Sequence, residues 1–229
     1  MSKSNALENA WLLLLFNNSN IANVGDATGL QGSGTAGSLY VGLHTADPGE
    51  AGDQTTSECA YGSYARVAVA RSGSGWTVTS NQVENAALIS FPAVTSGTET
   101  VLFASVGTAS SGSGVLLYSA PLSDEAPIAA VAEASADTIT IPGHTLSVDD
   151  RITFHALPGS TLPAGLSVGT VYYVKTVSSN DITISTTSGG AVVDITAAGS
   201  MLAQKVTPLS VSSGITPQFA PSAIVFTED

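Results

Sequence analysis

The chain has 229 residues, of which 10% are charged, against the roughly 25% of ordinary soluble domains, and Gly, Ser, Thr, Ala and Val fill the gap. Six Lys plus Arg against 18 Asp plus Glu give a net charge of −12 with no basic run, which points away from nucleic acid as a direct partner, because a phosphate backbone is bound through clustered cations. A single cysteine, Cys59, excludes an intrachain disulfide or a cysteine metal cluster, and the longest apolar run, 11–16, is far short of the ~20 residues that span a bilayer and lacks the flanks of a signal peptide, so synthesis in a cytoplasm and no membrane partner are expected.

In chain order, Asn5 followed three residues later by Glu8 predicts an N-cap with its capping-box partner, opening a short helix through Phe16. Leu7, Trp11, Leu14 and Leu15 fall on one face, while Leu12, Leu13 and Phe16 fall elsewhere around the cylinder. Such a helix wants burial on more than one side, within its own domain or against another subunit. Residues 21–37 are rich in Gly, Asn and Ser and read as a loop or extended arm. Short runs of branched and aromatic residues then predict strands at 39–45, 65–70, 77–79, 87–91, 101–106 and 115–118. Spaced by Gly, Ser and Pro, they predict a mainly β body, a β-sandwich or small jelly roll, with one N-terminal helix. A break falls at Asp124-Glu125-Ala126-Pro127, and a second set of strands is predicted at 138–141, 151–156, 171–177, 181–186 and 192–196.

Two strings match catalytic or cofactor motifs but not their context. Gly32-Ser33-Gly34-Thr35-Ala36-Gly37 fits G-x-G-x-x-G, yet a polar loop precedes it and a strand follows, where dinucleotide binding needs a helix N-terminus. Gly165-Leu166-Ser167-Val168-Gly169 fits the nucleophile elbow, yet no α/β pattern exists to hold a triad. His44, His144 and His155 stand apart without metal-ligand spacing, although His144 and His155 with Asp149 and Asp150 are the one set worth testing as a metal site. Asp47-Pro48-Gly49-Glu50 reads as a turn rather than a calcium loop. A glycan hydrolase would need a carboxylate pair in a groove, and no paired acids stand out. The expectation is therefore no enzyme, no cofactor and no metal. Trp76 reads as a core anchor, with a carbohydrate platform as its functional alternative. Tyr172 and Tyr173 are adjacent on a strand, so one faces in and the other out.

The stretch Leu39-Tyr40-Val41-Gly42-Leu43-His44-Thr45-Ala46-Asp47-Pro48-Gly49-Glu50, continuing through Tyr64-Ala65-Arg66-Val67-Ala68-Val69-Ala70-Arg71 to Gly75-Trp76, resembles a family of tailed-bacteriophage virion proteins. Its members carry labels of head decoration (cement) protein and of tail or fibre component. Thr161 through Val174, Ser188-Gly189-Gly190-Ala191 and Asp194-Ile195-Thr196 resemble a small β module of phage tail and decoration proteins. In relatives, the counterpart of Gly214 through Phe226 follows soon after that of Leu116-Leu117-Tyr118-Ser119-Ala120. The resemblance therefore implies a body of 1–125 and 206–229 with a small β domain inserted at 126–205. It also implies a trimeric cement protein made in the host bacterial cytoplasm and bound to the major capsid protein on the outer surface of the head. A tail, collar, baseplate or fibre component and a receptor-binding module are the alternatives. On this reading Trp11, Leu13, Leu14, Phe16, His44, Arg66 and Arg71 are candidate subunit or capsid contacts, and Tyr172 and Tyr173 candidate host-surface contacts.

Overall fold

The computed structural model describes residues 3–25 and 29–228; residues 26–28 of the expected 21–37 arm and the extreme ends of the expected body, 1–2 and 229, lie outside the described residues. The chain is mainly β with one N-terminal helix, as its sequence predicts.

The helix, α1 (Asn5–Asn17), begins one residue earlier than the capping box implies. Ser4, not Asn5, is the N-cap: its backbone is extended, its hydroxyl accepts from the Leu7 N–H at 3.4 Å, and its carbonyl takes the N–H groups of Leu7 and Glu8. Counted from Ser4, Glu8 lies one position past the box partner, and its side chain is buried instead of reaching back. Asn18, in the left-handed region at φ 55°, ends the helix. The inward stripe is Glu8, Leu12 and Phe16, whereas Leu7 and Trp11 of the expected face are 43% and 40% exposed. Both stripes keep the i, i+4 spacing, so periodicity could not choose between them. The pocket that receives Phe16 made the choice: its ring meets Trp76 edge-on at 4.9 Å, Phe226 at 6.2 Å and Tyr118 at 5.7 Å.

The strands before the break are β1 (Ser38–His44), β2 (Val67–Ala70), β3 (Trp76–Thr79), β4 (Gln82–Asn85), β5 (Ile89–Ser90), β6 (Thr98–Val101), β7 (Phe103–Gly107) and β8 (Leu116–Pro121). After it come β9 (Ile128–Glu133), β10 (Thr138–Thr140), β11 (Arg151–Ala156), β12 (Tyr172–Ser178), β13 (Asp181–Ser185) and β14 (Gly199–Val206), then β15 (Leu209–Ser212), β16 (Gln218–Phe219) and β17 (Val225–Thr227). An antiparallel sheet in the order β2-β1-β7-β8 shares one core with the smaller pairings β15-β6, β16-β5 and β17-β4-β3. Trp76 is wholly enclosed in that core, the anchor its sequence context predicts. The expected strand 101–106 divides at Leu102, whose N–H turns to the His44 carbonyl, and β4 and β6 were not foreseen because Gln, Glu, Asn and Thr dominate them.

Strands β9 to β14 close into a barrel, in the order β10-β13-β12-β11-β14-β9, with a second core of Ile139, Ile152, Phe154, Tyr172, Ile182 and Ile184 opposite small Ala130, Ala132 and Ala203. Two of its strands escape sequence reading. Ile-Ala-Ala-Val-Ala-Glu in β9 has helical propensity, and β14 carries Gly, Gln and Lys; closure of the ring gives both strands partners and overrides the local preference. Conversely, the expected strand 192–196 forms only a bridge at Val192, and its Ile195 N–H is held by the Asp137 carboxylate at 2.8 Å.

Strands before and after the barrel pair with each other, β15 with β6, β16 with β5 and β17 with β4, so the chain leaves the body once and returns. The two crossings run side by side. The Thr207 N–H donates to the Leu122 carbonyl at 2.7 Å, and the Thr207 hydroxyl to Asp124 at 2.9 Å. A further contact lies across the junction: a Cβ on Gly169, where φ is +74°, would stand 2.9 Å from the Asp47 carboxylate, so the loop before β12 approaches that turn as only glycine permits.

Because Leu122 and Thr207 already touch, removal of 126–205 with a short Gly-Ser joint is expected to leave a body that unfolds cooperatively, a result that circular dichroism melting would read directly. Phe16→Ala is expected to cost about 3–5 kcal/mol in urea unfolding, whereas Leu7→Ala on the exposed stripe is expected to cost no more than about 0.5 kcal/mol.

Candidate functional site

The segment between β1 and β2, part of the virion-like stretch, folds back over the sheet and is clamped by buried polar groups. Arg66 donates from Nε to one oxygen of Glu58 at 2.6 Å and from a terminal nitrogen to the other at 2.8 Å. Its remaining donors reach the carbonyls of Ala109 and Gly112 at 2.9 and 2.8 Å, fastening the β7–β8 loop. The fully buried Gln54 takes the Ala109 N–H at 2.8 Å beside them. Arg66 is thus an interior residue whose planar fork is satisfied by one carboxylate and two loop carbonyls.

His44 is likewise enclosed. Its Nδ1 lies 2.9 Å from the Thr56 carbonyl, which only accepts, so the proton sits on Nδ1 and Nε2 accepts from the Ser105 hydroxyl at 2.7 Å. Burial holds the His44 pKa below the usual imidazole value, against the raising pull of the Thr56 carbonyl and Glu58. The Ser105–His44 contact has the geometry of a nucleophile and base, but Ser105 is 1% exposed and His44 0%, so neither meets a substrate-sized space. Nearby, the Leu43 N–H donates to the Tyr64 hydroxyl at 2.9 Å, and burial raises the pKa of Tyr64. Burial, with Glu99 alongside, also raises that of the Cys59 thiol.

Arg71 caps α1. It donates to the carbonyls of Leu14 and Leu15 at 2.7 Å each and reaches the Ala36 carbonyl at 3.2 Å, satisfying the negative end of the helix. The Gly32–Gly37 loop is held there by Asn18, which exchanges hydrogen bonds with the Ser33 backbone at 2.8 Å, and it leads into β1 rather than a helix.

Of the candidate contacts, Phe16, His44 and Arg66 lie in the interior of the chain, each with partners there. Arg71 is committed to the helix end, and Leu13 and Leu14 are half-buried. Trp11 alone of the set presents a large exposed surface. With Leu7 it borders a hollow closed by the Lys3–Glu228 ion pair at 2.8 Å. The other Glu228 oxygen accepts from the Tyr118 hydroxyl. Burial works to raise the Glu228 pKa, but hydrogen bonds from Lys3 and Tyr118 outweigh it and hold the carboxyl below its ordinary value.

In the barrel, Tyr172 points into the core, where its hydroxyl accepts the Ser167 N–H at 2.9 Å; Ser167 therefore sits in a tethered loop, not a nucleophile elbow. Tyr173 faces out, half-buried, with the Arg151 guanidinium over its ring at 5.3 Å. The His144/His155 set does not converge. His144 Nδ1 accepts from the Leu146 N–H, Asp150 pairs with Lys205 at 3.2 Å and Asp149 accepts from Ser188 at 2.7 Å. Among the described residues no three His, Cys, Asp or Glu side chains gather as metal ligands. Gln54, Ser105 and Glu228, which no sequence motif marked, find partners too far along the chain for any local pattern to announce.

The family model described as Podophage GP4 fiber I protein gp80 matches residues 2–149, from the start of the body to the loop between β10 and β11. No curated protein matches the chain.

Glu58→Gln leaves the buried guanidinium without its counter-charge and is expected to cost about 3–5 kcal/mol in denaturant unfolding. Acid is expected to weaken the fold through His44. Its folded pKa lies below the unfolded value of about 6.5, so its contribution is complete above that pH and is lost as pH falls toward the folded pKa, because the unfolded chain takes up the proton first. His155, also lowered mainly by burial, acts in the same sense. Denaturation midpoints at pH 7.5 and pH 5 should show the fall, and His44→Asn, although less stable at both, should show a shallower one.

Proposed function

Because the chain belongs to the Gp80 family, which makes it a structural protein of a tailed-phage virion, we propose that it serves as a fibre component on the outside of the particle. The observation that carries this reading is the family match over the virion-like stretch and the elements around it, 2–149. The role is structural rather than catalytic: the one serine–histidine contact described above is sealed inside the body. Charge supports an exterior place. Lys3, Arg66 and Lys205 are ion-paired with carboxylates within the chain, and a net charge of −12 faces solvent more readily than packaged genome. Self-association as a trimer, with the Leu7 and Trp11 stripe of α1 as its contact, belongs to the same reading.

The resemblance of 39–76 to head decoration proteins favours a second reading, a cement protein seated on the major capsid protein at the outer head surface. Copy number separates the two. Quantitative mass spectrometry of purified particles, with the major capsid protein as internal standard, is expected to find tens of copies or fewer and to lose them with the tail when heads and tails are separated. Hundreds of copies retained on tailless heads would overturn the fibre reading in favour of cement.

A further inference from the structure

Two open strand edges flank one groove. β8 ends its sheet and β17 ends another. The Leu122 N–H donates to the Leu102 carbonyl at 2.7 Å, so the alternation of the antiparallel ladder turns even-numbered residues of β8 toward β7 and leaves Ser119 and Pro121 facing outward. On β17, the Asn85 N–H donates to the Ile224 carbonyl at 3.2 Å and the Glu228 N–H to the Asn81 carbonyl at 2.8 Å. The same alternation leaves Val225 and Thr227 outward, both exposed, as Ser119 is. Between the edges lies a space of about 530 Å³ with an apolar floor of Leu122, Leu209, Phe219 and Phe226. Its rim, at the junction with the barrel, carries Asp124 and Glu125.

An unpaired edge beside an apolar trough is the arrangement in which an extended segment gains main-chain hydrogen bonds on one side and places alternate side chains in pockets. Charge decides what segment fits. Asp124 accepts from the Thr207 hydroxyl and has no ion-pair partner among the described residues, while Lys205, 4.0 Å from Glu125, is bound more closely by Asp150. A second copy of this chain would bring a net charge of −12 and cations already held by internal partners, setting acid against acid.

We propose that the groove between β8 and β17 binds, by strand addition, an extended segment of a different polypeptide with alternating apolar residues and Lys or Arg at its flanks. This goes beyond the structural role in the virion and holds wherever on the particle the chain sits. The test uses the purified full chain and two acetylated, amidated peptides, Lys-Val-Thr-Val-Thr-Val-Lys and its counterpart with Glu at both ends. Titration calorimetry is expected to show binding of the Lys-flanked peptide, with the Glu-flanked one weaker by roughly tenfold or more. Hydrogen exchange is expected to slow at the amides of Ser119, Val225 and Thr227 and not in the barrel. Ser119→Pro and Val225→Pro each delete an outward N–H without removing a donor to the neighbouring strand, and are expected to weaken binding. Should either fail to fold, Asp124→Asn, which touches no ladder, must still weaken the Lys-flanked peptide and flatten its salt dependence. Absence of binding, equal binding of both peptides, protection elsewhere, or self-association of the chain that Val225→Pro abolishes would each overturn the proposal.

Discussion

The ring of Phe16 is the point on which the body turns. It meets Trp76 of β3, Tyr118 of β8 and Phe226 of β17, and Tyr118 and Phe226 also meet each other at 4.9 Å. One helical side chain thereby joins the four-stranded sheet to both outer strands of the β17-β4-β3 sheet, elements separated by most of the chain length. Aromatic packing of this kind buries much area in few residues, which suits a body whose strands are mostly short and rich in Ala, Ser and Thr. The consequence reaches the surface. With Phe16 inward, Leu7 and Trp11 are carried outward, and Glu228 is brought to Tyr118 and Lys3.

The second constraint is polar. A chain so poor in charge uses two of its arginines as internal ties: the buried Arg66 holds Glu58 and two loop carbonyls, and the half-buried Arg71 holds the end of α1. Neither arrangement adds much stability over an apolar replacement, because desolvation of the charges offsets most of their attraction. What they fix is geometry. The loop after β1, the loop before β8 and the glycine-rich segment before β1 each hang from one guanidinium fork, so segments with little apolar content of their own acquire a single conformation.

The same commitment shapes what the protein presents outward. With six Lys and Arg against 18 Asp and Glu, and three of the cations ion-paired within the chain, the exterior is acidic almost by default. The closed barrel and the body differ sharply here. A barrel has no strand edges, while the body's sheets end in open strands.

The amino-acid sequence by itself determined the class of fold, the single helix, and the inward turn of one of two adjacent tyrosines, because each follows from periodicity and turn chemistry over a few residues. It also marked Trp76 as an anchor. It did not determine which stripe of α1 is buried, since two stripes had the same spacing and only the aromatic pocket distinguishes them. Nor did it reveal β9 and β14, whose local preferences are overridden by closure of the barrel. Tertiary structure alone showed what His44, Arg66 and Arg71 hold within the chain, because Ser105, Ala109 and Leu14, among their partners, lie tens of residues away. The groove between β8 and β17 was hidden for the same reason: it exists only where two sheet edges meet at the root of the barrel, and a local pattern carries no record of which strand ends its sheet.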